Sequence, residues 1–210
     1  AQVDRAGEHV RRLTERYSNA EAAHADLTAA YDAFAGSFAP SLVQGAGKGV
    51  ADLAGANARS RLRMTALYYF AGLNNLLVAG TGNKIEDFGV GFFTKYGDGG
   101  VDISPIADLT KTEVYELGRW LRVPEAILVA PPTDGLFGDD RTDEQQIGAT
   151  YPELERAMAH AERGTDPALL SGREREVYDI FLRRNRANRH KMEPIPVCRI
   201  PRYLVEPAGR

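Results

Sequence analysis

Apolar residues recur at intervals of three and four along the first forty residues of the chain. This spacing places them on one face of a helix. The first set comprises Val3, Ala6, Val10, Leu13 and Tyr17, and the second comprises Leu27, Tyr31, Phe34 and Phe38. The pattern predicts two amphipathic helices, and we expect both to pack their apolar faces into the core.

A third helix is predicted from about residue 50 to residue 71. Leu53, Asn57, Arg61, Met64 and Tyr68 share one stripe of it at the 3.6-residue period. Arg61 interrupts a stripe that is otherwise largely apolar. Its charge on that face makes it a candidate for ligand binding, although a surface arginine that lays its stem along apolar neighbours gives the same pattern.

The short apolar run Leu76-Leu77-Val78-Ala79 stops at Gly80. Such a run is typical of a strand that is buried on both faces, as in a parallel sheet. The following residues, up to about 106, are rich in glycine and too polar to predict a helix. We expect a functional loop there, because idle connections are seldom this long.

Start signals for further helices follow that loop. Capping boxes are predicted at Thr110-x-x-Glu113, Thr142-x-x-Gln145 and Ser171-x-x-Glu174, and a rigid turn at Pro131-Pro132-Thr133-Asp134. One strand and many helices predict an α/β fold.

Composition and charge narrow the class of protein. The 210 residues are 43% hydrophobic and 26% charged, as expected for one globular domain. Cys198 is the single cysteine, which excludes an intrachain disulfide and favours a reducing cytoplasm. No apolar run approaches the roughly 20 residues that span a bilayer, so we expect no membrane partner.

The basic residues are concentrated near the end of the chain. The segment from Arg183 to Arg202 contains seven Lys or Arg and one acid, although the net charge of the chain is −3. Such a cluster favours an anionic partner. The acidic remainder argues against nucleic acid and favours a small molecule that carries phosphate.

The glycine-rich segment contains groups suited to a nucleotide. Glycines let the backbone approach a phosphate, and Thr81, Lys84 and Lys95 offer donors to it. Acidic residues of the same segment could bind Mg²⁺ or act as a base; they are Glu86, Asp98 and Asp102. The glycine spacing is not that of the dinucleotide fingerprint. On these grounds alone, a nucleotide site and a plain loop remain equally open.

Several motifs resemble the NAD synthetase family. They are GTGNKIEDFGVGFFTKYGDGGVDISPI at residues 80–106, NARSRLRM at 57–64, Leu109-Thr110-Lys111, Pro132-Thr133, RTDEQQIG at 141–148 and Arg189-His190-Lys191. The match is in order along about 140 residues. It looks closest to the single-domain, ammonia-using bacterial enzymes.

The resemblance implies a fold and a reaction. The fold is a Rossmann-like parallel sheet of the ATP-pyrophosphatase type (adenine nucleotide alpha hydrolase-like) with flanking helices, normally in a homodimer with sites at the subunit interface. The reaction adenylates the nicotinate carboxylate of deamido-NAD with ATP and Mg²⁺, releases pyrophosphate, and lets ammonia displace AMP to give NAD.

Site residues carry over by position. Thr81 resembles a residue that contacts AMP, Glu86 a Mg²⁺ ligand, and Lys111 and Thr133 a pair that contacts ATP phosphates. Asp98 resembles a carboxylate suited to receiving ammonium. The positions that match deamido-NAD contacts are Arg61, Lys95, Asp102, His190 and Lys191.

Each of these assignments has a structural alternative. Glu86 could be a solvated loop carboxylate, Thr133 and Asp98 could be turn formers, and His190 and Lys191 could form a solvated basic helix end. Lys111 lies in the first turn of its helix, where acidic residues are usually preferred, so its charge suggests a bound anion.

Two features depart from the family pattern. The pyrophosphate-binding loop Ser-Gly-Gly-x-Asp-Ser is absent from the 210 residues. We therefore expect residues 1–210 to be a single NAD synthetase-like domain that is N-terminally incomplete, with its first strands missing. A catalytically incomplete subunit that binds a dinucleotide or dimerises is the alternative.

The segment between Gly80 and Phe92 also has one extra residue, which leaves the side-chain directions from Asp87 to Gly91 open.

Overall fold

The computed structural model describes residues 2–133, 135–136, 141–201 and 204. Helices dominate these parts of the chain, and none of the helices described is long and apolar enough to cross a membrane. The α-helices are α1 (Gln2–Arg16), α2 (Thr28–Gly36), α3 (Pro40–Gln44), α4 (Lys48–Asn74), α5 (Lys111–Trp120), α6 (Glu125–Leu128), α7 (Asp143–Ile147), α8 (Tyr151–Glu162) and α9 (Gly172–Met192). A π-helix spans Lys84–Val90, and a 3₁₀ turn spans Pro167–Leu169.

The core lies in the second half of the chain. Helices α8 and α9 pack against each other and against the π-helix. Leu154 of α8, Val177 and Phe181 of α9, and Ile85 and Val90 of the π-helix are almost fully buried in one cluster. The π-helix is therefore fixed by the best-packed part of the molecule.

The two predicted N-terminal helices form, but the prediction that they pack into the core is wrong. Val3 and Phe34 lie on the apolar faces of α1 and α2 and are 77% and 45% exposed. Helix α2 contacts α4 but has no buried residue. The amphipathic spacing specifies which face of a helix is apolar. It does not specify what covers that face, and little of the described chain packs there.

The predicted strand is reduced to a single residue pair. Ala79 and Ile103 form an isolated parallel bridge, and the Val78 carbonyl accepts a hydrogen bond from the Asp102 N–H at 2.9 Å. Val78 is buried, but Leu76 and Leu77 are 57% and 69% exposed, which contradicts burial on both faces. A strand buries both faces only with neighbours at its edges and layers on either side. The described residues supply one short neighbour.

The expected loop after this bridge contains helix. Residues 84–90 form the π-helix, although their composition predicted none. The buried Asn83 side chain accepts hydrogen bonds from the N–H groups of Ile85 and Glu86, and Gly91 ends the helix in the left-handed region at φ 62°. A π-turn holds one more residue than an α-turn. The π-helix lies within the segment between Gly80 and Phe92 that has the extra residue.

Two of the three predicted capping boxes are confirmed, at Thr110 with Glu113 and at Thr142 with Gln145. The third is wrong: Ser171 precedes α9 but makes no side-chain cap, and the Glu174 carboxylate contacts His160 at 3.0 Å. Thr150 and Glu153 form a further pair at the start of α8 that the sequence analysis did not identify.

Candidate active site

A cavity of about 810 Å³ lies between α4, the bridge, the glycine-rich segment and α9. Its lining includes Thr81, Asp98 and Lys191 from the predicted site, together with Asn57, Ser60 and Asn188. This volume is in the range of small-molecule and cofactor sites. The structure therefore gathers three of the predicted residues around one space.

Asp98 is held in the wall of this cavity by hydrogen bonds. Its Oδ1 atom accepts from the Ser60 hydroxyl at 2.7 Å and from the Thr94 N–H at 3.0 Å. The Asp98 N–H donates to the Ser60 hydroxyl at 3.0 Å. Gly97 is needed beside them, because a β-carbon there would overlap Ser60. Asp98 is thus an exposed residue of a turn whose carboxylate is oriented by hydrogen bonds.

Thr81 lies in the turn that follows the bridge, with the π-helix close behind. A β-carbon at Gly82 would overlap the Asp87 carboxylate, so a side chain here would displace Asp87. Burial, and then the charges of Glu86 and Asp98, raise the pKa of Asp87 to about 7. The turn that carries Thr81 therefore packs directly on an acidic part of the π-helix.

Glu86 and Lys111 form a largely buried ion pair. Lys111 Nζ lies 2.8 Å from Glu86 Oε1, and the two side chains are 18% and 15% exposed. The Tyr151 hydroxyl donates to the same oxygen at 2.6 Å. It also lies 3.3 Å from Asp143 Oδ2. Burial and then the Glu86 charge raise the pKa of Tyr151, which keeps its hydroxyl a donor.

A smaller cavity of about 270 Å³ adjoins Lys111 and Tyr151 and is also lined by Pro131 and Pro132. The Asp143 N–H donates to the Pro132 carbonyl at 3.1 Å, which places the Thr133 turn beside this cluster. Asp134 lies outside the described residues. The structure thus brings the regions of Glu86, Lys111 and Thr133 together.

Arg61, Lys95 and His190, which match dinucleotide contacts, are linked near the molecular surface by hydrogen bonds from side chains to backbone carbonyls. Arg61 Nε donates to the Lys95 carbonyl at 3.2 Å, and Lys95 Nζ donates to the His190 carbonyl. None of these three side chains lines the 810 Å³ cavity. Asp102 accepts from the Tyr68 hydroxyl at 3.0 Å and from the Val78 N–H at 2.8 Å. Asp102 therefore joins α4 to the bridge.

Lys191 is half-buried and bonded to backbone. Its Nζ atom donates to the carbonyls of Gly91 at 2.8 Å and Phe93 at 2.7 Å. Burial is the main cause that lowers the pKa of its ammonium group. The interpretation of residues 190–191 as a solvated helix end is therefore wrong for Lys191.

Two asparagines of α9 extend this contact. Asn185 and Asn188 donate to the carbonyls of Gly89 and Val90, each at 2.8 Å. Together with Lys191 they satisfy the carbonyls at the C-terminal end of the π-helix. Arg184 likewise donates to the carbonyls of Gln146 and Ile147. Part of the basic cluster therefore serves the fold, while Arg202 lies outside the described residues.

Sequence reasoning missed Tyr151, Ser60 and Asn188. Tyr151 follows Thr150, whose spacing to Glu153 is a capping signal, but nothing local shows that its hydroxyl reaches Glu86. Ser60 lies on the polar side of the α4 pattern, and Asn188 lies within the basic cluster. Their contacts with Glu86, Asp98 and Val90, respectively, each join residues more than 30 positions apart in sequence.

Comparison with known proteins gives a consistent result. The family model described as NAD synthase matches residues 4–195. NH(3)-dependent NAD(+) synthetase of Carboxydothermus hydrogenoformans is 45% identical over 139 residues, which are 66% of this chain and 52% of that protein. The enzyme of the same name from Archaeoglobus fulgidus is 43% identical over 155 residues, 74% of this chain and 59% of that protein. The chain thus spans little more than half the length of these relatives.

Solved structures agree. NMN synthetase from Francisella tularensis matches with a TM-score of 0.76 and 30% identity, covering 94% of this chain and 73% of that chain. NH3-dependent NAD synthetase from Campylobacter jejuni, in complex with nitrate, matches with a TM-score of 0.57 and 23% identity over 83% of this chain and 64% of that chain, which shows the fold. These neighbours have folds of the ATP-pyrophosphatase type. This chain belongs to the NAD synthase family.

Proposed function

We propose that the protein amidates the nicotinate carboxylate of deamido-NAD, with ATP as co-substrate and ammonia as nucleophile. The main structural support is the 810 Å³ cavity, because the segment that carries the family motif supplies Thr81 and Asp98 to its wall. The names of the curated relatives favour an active synthetase over a catalytically incomplete subunit.

The proposed chemistry has two steps. A carboxylate oxygen of the acceptor attacks the α-phosphorus of ATP, which forms an acyl-adenylate and breaks the bond to pyrophosphate. Ammonia then attacks the acyl carbon, and AMP leaves with one former carboxylate oxygen. The amide nitrogen loses a proton in this step, so a base must lie near the acyl group.

We assign ATP binding to Thr81, Lys111 and Thr133. Lys111 supplies a positive charge beside the smaller cavity, and the Thr133 turn adjoins it. A cation so placed can neutralise phosphate charge as pyrophosphate departs.

We assign Mg²⁺ to Glu86 together with the phosphates of ATP. Among the described residues, no group of three or more His, Cys, Asp and Glu could hold a metal. Mg²⁺ commonly binds through one or two carboxylates and substrate phosphates, so one glutamate fits this requirement. Both side-chain contacts of Glu86 end on Oε1, and Oε2 is the oxygen that we assign to the metal. Bound Mg²⁺ would polarise the phosphoryl oxygens and neutralise charge on the leaving pyrophosphate.

Asp98 is our candidate for receiving ammonium. Its hydrogen bonds to Ser60 and Thr94 end on Oδ1, which fixes the carboxylate in the cavity wall. Oδ2 can then bind ammonium and accept the proton that ammonia must lose. This makes Asp98 the catalytic base of the second step.

We assign acceptor binding to Arg61, Lys95, Asp102, His190 and Lys191. Arg61, Lys95 and His190 can offer their side chains to a phosphate or ribose at the rim of the cavity. Arg61 and Lys95 would first have to leave the backbone carbonyl that each bonds here. Asp102 and Lys191 each bond to the protein through two contacts, so we expect them to shape the site.

A smaller molecule is a second candidate for the acceptor. The structural match to an NMN synthetase covers 94% of this chain at a TM-score of 0.76. A mononucleotide that carries the same nicotinate carboxylate is therefore the alternative acceptor.

We further propose a homodimer in the cytoplasm, with residues 1–210 belonging to one domain of the Rossmann-like type, whose parallel sheet is represented among the described residues by the Ala79–Ile103 bridge. The exposed apolar side chains of α4, which include Leu67, Tyr69, Phe70 and Leu73, support a subunit contact. Small molecules are the partners in this proposal, with no role for nucleic acid or membrane.

Product analysis of the natural protein tests this function. We expect the amide, AMP and pyrophosphate in equal amounts from ATP, ammonium and the acceptor. Parallel assays with deamido-NAD and with nicotinate mononucleotide compare kcat/KM and identify the acceptor. Formation of ADP and phosphate would contradict adenylation.

A further inference from the structure

Tyr151 contacts both members of the Glu86–Lys111 pair. It is the first residue of α8 and is 4% exposed. Its hydroxyl lies 2.6 Å from Glu86 Oε1, and Lys111 Nζ lies 4.8 Å from the centre of its ring. The motifs that identify the family do not include this residue.

The hydroxyl holds Glu86 independently of Lys111. A phenol has one proton to donate, and its distance of 2.6 Å to Glu86 is shorter than the 3.3 Å to Asp143. Tyr151 and Lys111 both occupy Oε1 of Glu86. This arrangement fixes the rotation of the carboxylate and directs Oε2 away from both donors.

Lys111 has two competing partners in the proposed reaction. Its ammonium pairs with Glu86 in this structure, whereas ATP would present phosphates to the same charge. When Lys111 turns toward phosphate, the buried Glu86 carboxylate loses a charged partner. The Tyr151 hydroxyl is the side-chain donor that stays on Oε1.

We propose that Tyr151 is a positioning residue that holds the Glu86 carboxylate in orientation while Lys111 moves between Glu86 and the nucleotide phosphates. This inference rests on the proposed function, since it concerns Glu86 as the metal carboxylate. Tyr151 acts through Glu86, and it is not part of the lining of the 810 Å³ cavity.

The test is metal binding by Tyr151→Phe, which keeps the buried ring and removes the hydroxyl. The probe is Mn²⁺, whose free concentration is measured by electron paramagnetic resonance with a non-hydrolysable ATP analogue present. Loss of a hydrogen bond that orients a metal ligand weakens metal binding by about 10-fold or more, and we expect that rise in the Mn²⁺ dissociation constant. Binding of the analogue without metal should stay within about 2-fold of the natural protein, because the side chains assigned to the phosphates are intact.

Tyr178→Phe is the matched control. Tyr178 is also 4% exposed and belongs to the same core, but its hydroxyl donates to the Thr165 carbonyl at 3.4 Å. It should leave Mn²⁺ binding unchanged. All measurements are made at a temperature where thermal unfolding shows each variant to be folded.

Glu86→Gln separates the failure of this inference from the failure of the proposed function. If Glu86→Gln weakens Mn²⁺ binding and Tyr151→Phe matches the natural protein, Tyr151 is not a positioning residue. If Glu86→Gln also leaves Mn²⁺ binding unchanged, Glu86 is not the metal carboxylate, and the metal site of the proposed function is overturned.

Discussion

The ammonium group of Lys191 is half-buried and contacts the protein backbone. It binds two backbone carbonyls of the segment that walls the large cavity, and its nitrogen lies 5.4 Å from the centre of the Phe93 ring. The neighbouring His190 is exposed. His190 and Lys191 thus have different surroundings, although the sequence alone shows only two adjacent basic residues.

Replacement of Lys191 by Met should lower the free energy of unfolding by about 1–2 kcal/mol, because two hydrogen bonds from a charged donor are lost. Met keeps most of the aliphatic stem. His190→Ala is the matched control and should change stability by no more than about 0.5 kcal/mol. Urea denaturation measures both values, and equal stabilities for the two variants would show that the Lys191 contacts contribute nothing.

The resemblance assigns Glu86 to Mg²⁺ and Lys111 to ATP phosphates, and the structure places their side chains 2.8 Å apart. The two roles stay predictions. The resemblance could not indicate that Lys191 bonds to carbonyls about 100 positions earlier. That contact depends on how α9 packs on the π-helix, which no local pattern encodes.

The π-helix depends on tertiary support at the scale of secondary structure. Asn83 caps its start, and Asn185, Asn188 and Lys191 of α9 satisfy the carbonyls at its end. Propensity alone favours a loop, because such a turn is rare and its segment contains glycine. The helices with capping boxes at Thr110 and Thr142 were predictable, since their start signals are local.

An ion pair between Glu153 of α8 and Arg173 of α9 links the two helices. Both Glu153 carboxylate oxygens accept from Arg173, at 2.9 and 3.1 Å, and Oε2 also accepts from the Thr150 N–H. The bonds to Arg173, then to Thr150, lower the pKa of Glu153 from 4.5 to about 2. The charged form of Glu153 is therefore the one that stabilises the fold.

This lowered pKa predicts a pH dependence for Glu153→Gln. The folded-state pKa is below the unfolded value, so the contribution of Glu153 is fully present above pH 4.5 and is lost as the pH falls toward 2. At pH 7 the variant should be less stable by about 0.5–1 kcal/mol, since solvent screens the pair. Denaturation of both proteins between pH 7 and pH 3 should show the difference shrinking; a constant difference would mean that packing, not charge, matters here.

Burial is uneven across the whole molecule. The π-helix, α8 and α9 share a core, whereas α4 and the residues before the bridge expose large apolar side chains such as Tyr69 and Leu77. Of the expected parallel sheet, the described residues contain one isolated bridge among helices. Composition and periodicity identify helices well, but a sheet requires pairing between distant segments, which they do not specify.

Transfer of oxygen-18 from the acceptor tests most directly whether its carboxylate is adenylated. The natural protein is incubated with ATP, ammonium, Mg²⁺ and an acceptor whose carboxylate oxygens are both labelled, and the products are analysed by mass spectrometry. Adenylation predicts one labelled oxygen in the AMP phosphate and one retained in the amide. Unlabelled AMP, or label in inorganic phosphate together with ADP, would contradict it.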